Sequence, residues 1–330
     1  MLFDDPDPPP APLVGIARLA AQSDLLESKH RVQYLELETR RFIGRASGTR
    51  MRFIWTINPY RGCEFGCRYC YARYAHEFME LRDPLDFERK IFAKRFHAPA
   101  FRADLARVKG AESIWIGTAT DPYQPAERRF RITRRMLEVL AAERGRNVGI
   151  TTKSDLVAQD AGLLARIARA NIVQVNLTIT TLDEKLARLL EPLAPRPALR
   201  LAAVRTLAKA GIRTAVLAHP ILPLINDSES SLQAVAEAAS QAGARSFSAA
   251  PLFLKPCAQR VFFPFLEQHF PHLVRRYRER FEKSTYLKGH YPDALSARVE
   301  KLIARYGFAP RDAEELPSGW PVDPQMELFG

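Results

Sequence analysis

The sequence lacks any run of about 18 apolar residues, which is the length that a membrane-spanning helix requires. Its opening stretch, MLFDDPDPPPAP, is acidic and proline-rich and lacks the basic and apolar regions of a signal peptide. Only four of the 330 residues are cysteine, and three of these are clustered, unlike a secreted disulfide framework. There is no Walker loop and no legible Ser-His-Asp order. These absences predict a cytoplasmic protein without a membrane segment, whose cysteines serve metal binding or catalysis.

Acidic residues are in the minority, because 49 Lys and Arg residues against 37 Asp and Glu residues give a net charge of +12. Such an excess favours nucleic acid or another polyanion as a partner, although many basic proteins bind neither. Hydrophobic residues make up 47% of the chain and charged residues 26%, which is ordinary for a soluble globular protein.

Strand-like runs alternate with helical patterns through the middle of the chain. The runs are Arg52–Ile57, Ser113–Thr120, Val148–Lys153, Val173–Thr180, Arg213–Ala218 and Ser246–Pro251. Helical patterns between them include Thr133–Glu143, Asp160–Ala170, Leu199–Ala210 and Ser230–Ala242. The alternation predicts an α/β fold with a parallel sheet, and six units fit a partial (β/α)6 barrel. Gly211 and Gly243 are predicted to end two of the helices in the left-handed conformation.

The flanks of this region lack the alternation. We predict an N-terminal extension (residues 1–50) that is disordered over residues 1–13, a barrel (51–255), a helical C-terminal extension (256–309) and a disordered tail (310–330). In the C-terminal extension, Val274, Tyr277 and Phe281 recur at helical spacing, which predicts a packed helix with an exposed basic face.

The fourth strand-like run, VQVNLTIT, alternates apolar and polar residues. Its apolar residues are expected to face the outer helices, and Gln174, Asn176, Thr178 and Thr180 the opposite side. Because a buried parallel sheet is normally apolar on both faces, the polar side predicts a ligand cavity. In barrels such sites lie at the carboxyl ends of the strands.

The cysteine cluster, Cys63-x3-Cys67-x2-Cys70, follows the end of the first predicted strand. Three thiolates can hold an iron–sulfur cluster that usually takes four, which leaves one iron open. The alternative is a structural zinc site in which His76 provides the fourth ligand. Gly62 and Gly66 allow the backbone to curl closely around the bound group.

This cysteine loop, with Tyr69 before the last cysteine, resembles that of the radical S-adenosylmethionine (radical SAM) superfamily. The resemblance implies that Cys63, Cys67 and Cys70 bind a 4Fe-4S cluster. It also implies that S-adenosyl-L-methionine binds the open iron and is reductively cleaved to a 5′-deoxyadenosyl radical, with a flavodoxin or ferredoxin as electron donor.

Residues 52–255 further resemble the spore photoproduct lyase group, through segments such as YCY, GTATDPYQPAE, TTKSD, VNLTITT and HPILPLIND. This resemblance implies cofactor-binding roles for Tyr69, Thr120, Lys153 and Thr178, and it makes Tyr71 a candidate hydrogen-atom relay. This sequence departs from the lyase pattern at Thr118, where those lyases have a cysteine that returns a hydrogen atom to the product radical. The implied activity is lyase or repair chemistry with nucleic acid as the first candidate substrate.

Other reactive residues carry two interpretations each. Cys257 could be a substitute hydrogen donor or a small buried residue, and His219 an acid–base group or a structural one. An arginine cluster could grip phosphates or form a solvated helix face; its members are Arg128, Arg129, Arg131, Arg134 and Arg135. The rival functions are a zinc-stabilised nucleic-acid-binding protein and an electron-transfer protein. The sequence does not indicate an oligomeric state.

Overall fold

The computed structural model describes residues 13–29, 31–46, 54–110, 112–310, 316–318 and 320. Most of the two chain ends that the composition predicts to be disordered lies outside these residues, as do Arg52 and Phe53 at the start of the first predicted barrel strand.

The described residues contain eleven strands. They are β1 (Leu25–Lys29), β2 (Val32–Leu37), β3 (Ile43–Arg45), β4 (Trp55–Ile57), β5 (Tyr60–Arg61), β6 (Lys90–Lys94), β7 (Ser113–Ile116), β8 (Asn147–Thr152), β9 (Ile172–Thr178), β10 (Arg213–Ile221) and β11 (Ser246–Pro251).

The same residues contain thirteen α-helices. They are α1 (Gly15–Ala21), α2 (Tyr74–Glu77), α3 (Asp86–Arg89), α4 (Ala98–Leu105), α5 (Glu127–Phe130), α6 (Ile132–Leu140), α7 (Ala161–Ala168), α8 (Glu184–Leu190), α9 (Pro197–Lys209), α10 (Glu229–Gln241), α11 (Pro256–His269), α12 (Val274–Phe281) and α13 (His290–Tyr306).

The larger sheet confirms the predicted partial barrel. Its order is β11-β10-β9-β8-β7-β4-β3, and the six strands from β4 to β11 pair in parallel. Strand β3 adds an antiparallel edge that the sequence did not suggest. Gly211 and Gly243 follow α9 and α10 with φ of 76° and 84°, so the predicted left-handed helix ends are confirmed.

The smaller sheet has the order β1-β2-β6-β5, and the sequence patterns did not predict it. Its strands are short, and β1 is almost wholly exposed, so no alternation of apolar and polar residues marks them. Strand β5 pairs with β6 immediately before the cysteine loop, and this pairing fixes where the loop begins.

Strand β9 has one apolar and one polar face, as the alternation of its residues predicts. Val173, Val175 and Leu177 belong to the main apolar core between the sheet and the helices, whereas Thr178 lines a cavity on the other side. The Asn176 amide is 3.4 Å from Oγ1 of Thr151 on the neighbouring strand, so polar groups on this face satisfy one another.

A second apolar core joins the cysteine loop to the C-terminal helices. It contains Cys63, Phe65 and Cys67 from the loop, together with Phe262 of α11 and Tyr277 of α12. The predicted packed helix at 274–283 is confirmed by α12, whose Tyr277 and Phe281 are buried. None of the described helices has the length and apolar character to cross a membrane.

Candidate functional site: a cysteine-lined cavity at the strand ends

A cavity of about 320 Å³ lies at the carboxyl ends of the parallel strands, and we name it the radical cavity. All eight predicted site residues line it: Cys63, Cys67, Cys70, Tyr69, Tyr71, Thr120, Lys153 and Thr178. These residues come from the cysteine loop and from the ends of β7, β8 and β9. The fold therefore brings together groups that are up to 115 positions apart in the sequence (178 − 63).

The cysteine loop begins at Gly62, which has φ of 84°. A Cβ atom at this position would lie 2.7 Å from the carbonyl oxygen of Lys90 and 2.8 Å from that of Phe87. Only glycine fits such a conformation and such a close approach. The following N–H, of Cys63, donates to the Phe87 carbonyl at 2.9 Å, so the loop is held against α3 from its first residues.

Gln124 clamps the same loop from the other side. Its Nε2 donates to the carbonyl oxygen of Gly62 and to Oγ1 of Thr120, both at 3.0 Å, and its Oε1 accepts the Glu64 N–H at 3.0 Å. The Thr120 hydroxyl also donates to Gly62 O at 2.6 Å. Thr120 therefore positions the cysteine loop with its donor and keeps acceptor capacity towards the cavity.

Lys153 is held in the cavity wall by Asp121. The Asp121 carboxylate accepts the Lys153 N–H at 2.7 Å and the Thr152 hydroxyl at 2.6 Å. The Lys153 ammonium lies 5.7 Å from the ring centroid of Tyr69. Burial alone would lower the pKa of Lys153, but nearby Cys67 and Glu191 outweigh burial and raise it, so the side chain stays charged.

Tyr69 rests on a buried ion pair beneath the cavity. Its hydroxyl donates to Oε1 of Glu191, and the Arg200 guanidinium lies 2.6 Å from Oε2 of the same carboxylate. Arg200 also donates to the carbonyl oxygen of Thr178 at 2.9 Å. Burial would raise the pKa of Glu191, but Arg200 and Lys153 lower it further than burial raises it.

Tyr71 stands at the mouth of the cavity, and its hydroxyl donates to the carbonyl oxygen of Thr118 at 2.5 Å. Cys257 is buried behind it, with Sγ 3.5 Å from the Tyr71 carbonyl oxygen, and does not line the cavity. Thr118 does line it, and its hydroxyl accepts from the Asn58 amide at 3.1 Å. Among the described lining residues, the loop cysteines are therefore the only thiols that reach the cavity.

The three loop thiols fit an iron–sulfur cluster as a donor set. Burial raises the pKa of Cys63, Cys67 and Cys70, so a bound positive centre is needed to hold them as thiolates. Among the described residues, no three His, Cys, Asp or Glu side chains are gathered tightly enough for one metal ion. All three thiols line the same cavity, where each would be available to a different iron of one cluster.

His76 lies away from this space, contrary to what a fourth zinc ligand requires. It is buried between the rings of Phe87 and Phe92, at centroid distances of 5.2 and 5.8 Å. Its Nε2 is 2.9 Å from the Lys90 carbonyl oxygen, and burial lowers its pKa to about 4. A neutral histidine that packs in this way is a structural residue.

Two members of the arginine cluster, one on α5 and one on α6, are in ion pairs with other described residues. Arg129 pairs with Glu27, Arg134 pairs with Asp160, and Arg135 packs over the ring of Phe96. The described lining of the radical cavity includes no member of this cluster. His219 does line the cavity, where its Nε2 is 3.1 Å from Oγ of Ser248.

Three comparisons with known proteins agree with this geometry. A family model described as the Radical SAM superfamily matches residues 57–236. An uncharacterised protein of Mycobacterium tuberculosis is 35% identical over 258 residues, which cover 78% of this chain and 76% of the relative. A protein of Methanocaldococcus jannaschii is 28% identical, over 77% of this chain and 89% of its own. The chain belongs to the radical SAM superfamily, so it is an enzyme of that class.

Solved structures extend the comparison to the fold. A variant of spore photoproduct lyase superposes with a TM-score of 0.59 at 17% sequence identity, over 83% of this chain and 79% of that one. The same lyase complexed with a dinucleoside spore photoproduct gives 0.59 at 16% identity, with the same coverage. The predicted likeness to this group is confirmed at the level of the fold. The superfamily implies S-adenosylmethionine and an iron–sulfur cluster as cofactors.

Proposed function

We propose that the chain binds a 4Fe-4S cluster through Cys63, Cys67 and Cys70, and S-adenosylmethionine through Tyr69, Thr120, Lys153 and Thr178. The observation that carries the proposal is that these side chains line one cavity with a single group of thiols. When bound together, the two cofactors supply reductive cleavage of the sulfonium and hence 5′-deoxyadenosyl radical chemistry.

The roles of the chain's own residues follow from their contacts. Lys153, charged and held by Asp121, is suited to pair with the carboxylate of the methionine moiety. The Tyr69 ring offers an apolar face to the adenine, and its hydroxyl is fixed by Glu191. Tyr71, at the mouth, is our candidate for relaying a hydrogen atom between substrate and radical cavity.

The reaction that we propose is lyase or repair chemistry on nucleic acid. The net charge of +12 supports a polyanionic substrate, and the structural neighbour binds a dinucleoside photoproduct. Thr118 replaces the hydrogen-donating cysteine of that group, and Cys257 does not line the cavity. We therefore propose a different final step from the one that group uses.

The test is release of 5′-deoxyadenosine by the anaerobically reconstituted protein with S-adenosylmethionine and a strong reductant. Cys67→Ala should abolish both iron binding and release. Cys257→Ala is the matched control, since it removes the one thiol outside the cavity and should change neither. Release that survives Cys67→Ala, or a protein that carries zinc and no iron, would contradict the proposal.

The cofactor pocket is tested separately through Lys153→Ala. Loss of a charge-assisted hydrogen bond should weaken S-adenosylmethionine binding about tenfold or more while the iron content is preserved. Lys209→Ala, an exposed lysine at the end of α9, is the control. An unchanged affinity in Lys153→Ala would remove this residue from the pocket.

A further inference from the structure

A second cavity of about 650 Å³ adjoins the radical cavity, and we name it the cationic cavity. Tyr71, Thr118 and Ala119 line both cavities, so a bound molecule can extend from one into the other. Five cationic residues line the second cavity: Arg41, Arg45, Arg61, Lys94 and Arg107. Among its described lining residues there is no Asp or Glu.

Two of these cations have no ion-pair partner among the described residues. Arg107 pairs with Asp104 at 3.2 Å, whereas no ion pair or side-chain hydrogen bond joins Arg61 or Lys94 to another described residue. The Nε of Arg61 is buried without a hydrogen-bond partner. Burial and the neighbouring Arg61 lower the pKa of Lys94 to about 7, and the weaker opposing effect of Asp104 does not offset them. Partly desolvated like charges cost free energy unless an anion pairs with them.

A row of aromatic rings leads along the mouths of both cavities. The Tyr74 ring contacts Phe78 at 5.7 Å and stacks with Tyr71 at 6.4 Å; Phe253 follows at 5.8 Å from Tyr71 and stacks with Tyr286 at 4.5 Å. Phe78 is 64% exposed, Tyr71 39% and Tyr286 41%, so the row is open to a ligand. We name these five residues the aromatic row.

We propose that the cationic cavity and the aromatic row bind one single strand of nucleic acid. Arg61 and Lys94 pair with a backbone phosphate, the exposed rings stack on bases, and the target nucleotide passes Tyr71 into the radical cavity. This inference rests on the proposed function, because it supplies that function's substrate and entry route.

The chemistry of both features together selects this ligand. A groove of cations beside stacked aromatic rings suits a chain that alternates anions with planar rings. An acidic peptide offers the anions without the rings, and a duplex keeps its bases inside the stack. Lys255 lies 4.0 Å from the centroid of Tyr74 and adds positive charge to the row.

The experiment measures fluorescence anisotropy of a labelled single-stranded oligothymidylate with the anaerobic, reconstituted full chain and no reductant. Lys94→Gln should weaken binding about tenfold, the effect of losing one hydrogen bond to a charged group. It should also reduce the slope of log affinity against log salt by about 0.7. Arg275→Gln removes an equal charge from the exposed face of α12 and should change affinity less than about twofold.

Phe78→Ala tests whether the aromatic row stacks on the bases of the strand. It should weaken strand binding about tenfold but leave the competition by inorganic phosphate unchanged, because stacking requires a base. Leu25→Ala, which truncates an exposed apolar residue on β1, is its control. Competition by thymidine monophosphate as strong as by the strand would identify a free nucleotide as the ligand and overturn the strand proposal.

Three results would overturn the inference. The first is an equal loss of strand affinity in Lys94→Gln and Arg275→Gln, and the second is no loss of affinity in either Lys94→Gln or Phe78→Ala. The third is competition by oligoglutamate as strong as competition by the unlabelled strand. Iron content and circular dichroism check the fold of each variant, and Arg45→Gln, on an exposed residue of the same cavity, replaces Lys94→Gln if that variant does not fold. Cavity-dependent binding without 5′-deoxyadenosine release would contradict the proposed function and leave this binding site standing.

Discussion

Glu191 is the residue on which the floor of the radical cavity depends. It receives the Tyr69 hydroxyl and the Arg200 guanidinium, and all three side chains are buried. A buried ion pair contributes little net stability, but the removal of one partner leaves the other charge uncompensated. Glu191 thus fixes the orientation of Tyr69 through an arrangement that tolerates few substitutions.

Glu191→Gln should destabilise the cluster-free protein by about 3 kcal/mol, because Arg200 remains buried without its counter-charge. The depressed pKa of Glu191 means that its ionised form stabilises the fold above the unfolded pKa of about 4.5. That stabilisation is lost as the pH falls through the lower, folded pKa. The difference in unfolding free energy from wild type, measured with urea, should therefore stay constant at neutral pH and shrink only below about pH 4.5.

Glu143→Gln is the matched control for this prediction. Its carboxylate pairs with Arg146 at 2.9 Å near the surface, so its loss should cost less than about 1 kcal/mol. Equal destabilisation by the two variants would contradict the role that we give to the buried pair.

Residue types and spacing indicated the candidate cluster ligands but not the residues that support them. Cys63, Cys67 and Cys70 lie within eight residues of one another, so the sequence alone indicates that they act together on one bound group. Gln124 and Glu191 act through contacts with residues 60 and 122 positions away, and no local pattern marks such partners. The segment GTATDPYQPAE, which contains Gln124, contributed to the family resemblance, but the resemblance implied no role for that side chain.

The cysteine loop is the element that has to be shaped before it can hold a cluster. Its path is set by Gly62 against β6, by Gln124 from the loop after β7, and by the Arg68 N–H, which donates to the Leu190 carbonyl at 2.9 Å. Contacts with three different elements therefore hold the loop in this conformation. Preorganisation of this kind reduces the cost of binding.

Gly62→Ala should lower the iron content after reconstitution and destabilise the chain, since the new Cβ meets two backbone carbonyl oxygens. Gly211→Ala is the control, because Gly211 has a similar φ of 76° but open space around its Cβ position. It should cost only about 1–2 kcal/mol and leave the iron content intact. Similar iron loss in both variants would show that loop shape is not the determinant.

Helices and strands that a clear sequence pattern marks were predictable, and those without such a pattern were not. Strand β11 has the predicted bounds, Ser246–Pro251, because the glycine that ends the preceding helix marks where the strand can begin. The small sheet was missed because β5 has two residues and β1 has hardly any buried face. That sheet nevertheless carries Arg61 and Lys94. Because the sheet was not predicted, the cationic cavity was not predicted either.

On the scale of the whole molecule, the C-terminal helices cover the cysteine loop. Phe262 of α11 is fully buried in the apolar core that also contains Cys63 and Cys67. Helix α11 packs on the short turn Tyr71–Arg73, which directly follows Cys70. The barrel carries the proposed cluster ligands, and the C-terminal extension covers them.

Phe262→Ala should therefore have two effects, a loss of about 3–5 kcal/mol of stability and faster loss of the cluster's visible absorbance in air. Phe101→Ala distinguishes the loss of stability from the faster loss of the cluster. Phe101 is equally buried but belongs to the main core, around α4. It should destabilise the chain by a similar amount without accelerating the loss of absorbance under conditions where both variants remain folded. Equal acceleration by the two would mean that cluster lifetime follows global stability, and that α11 does not act as a specific cover.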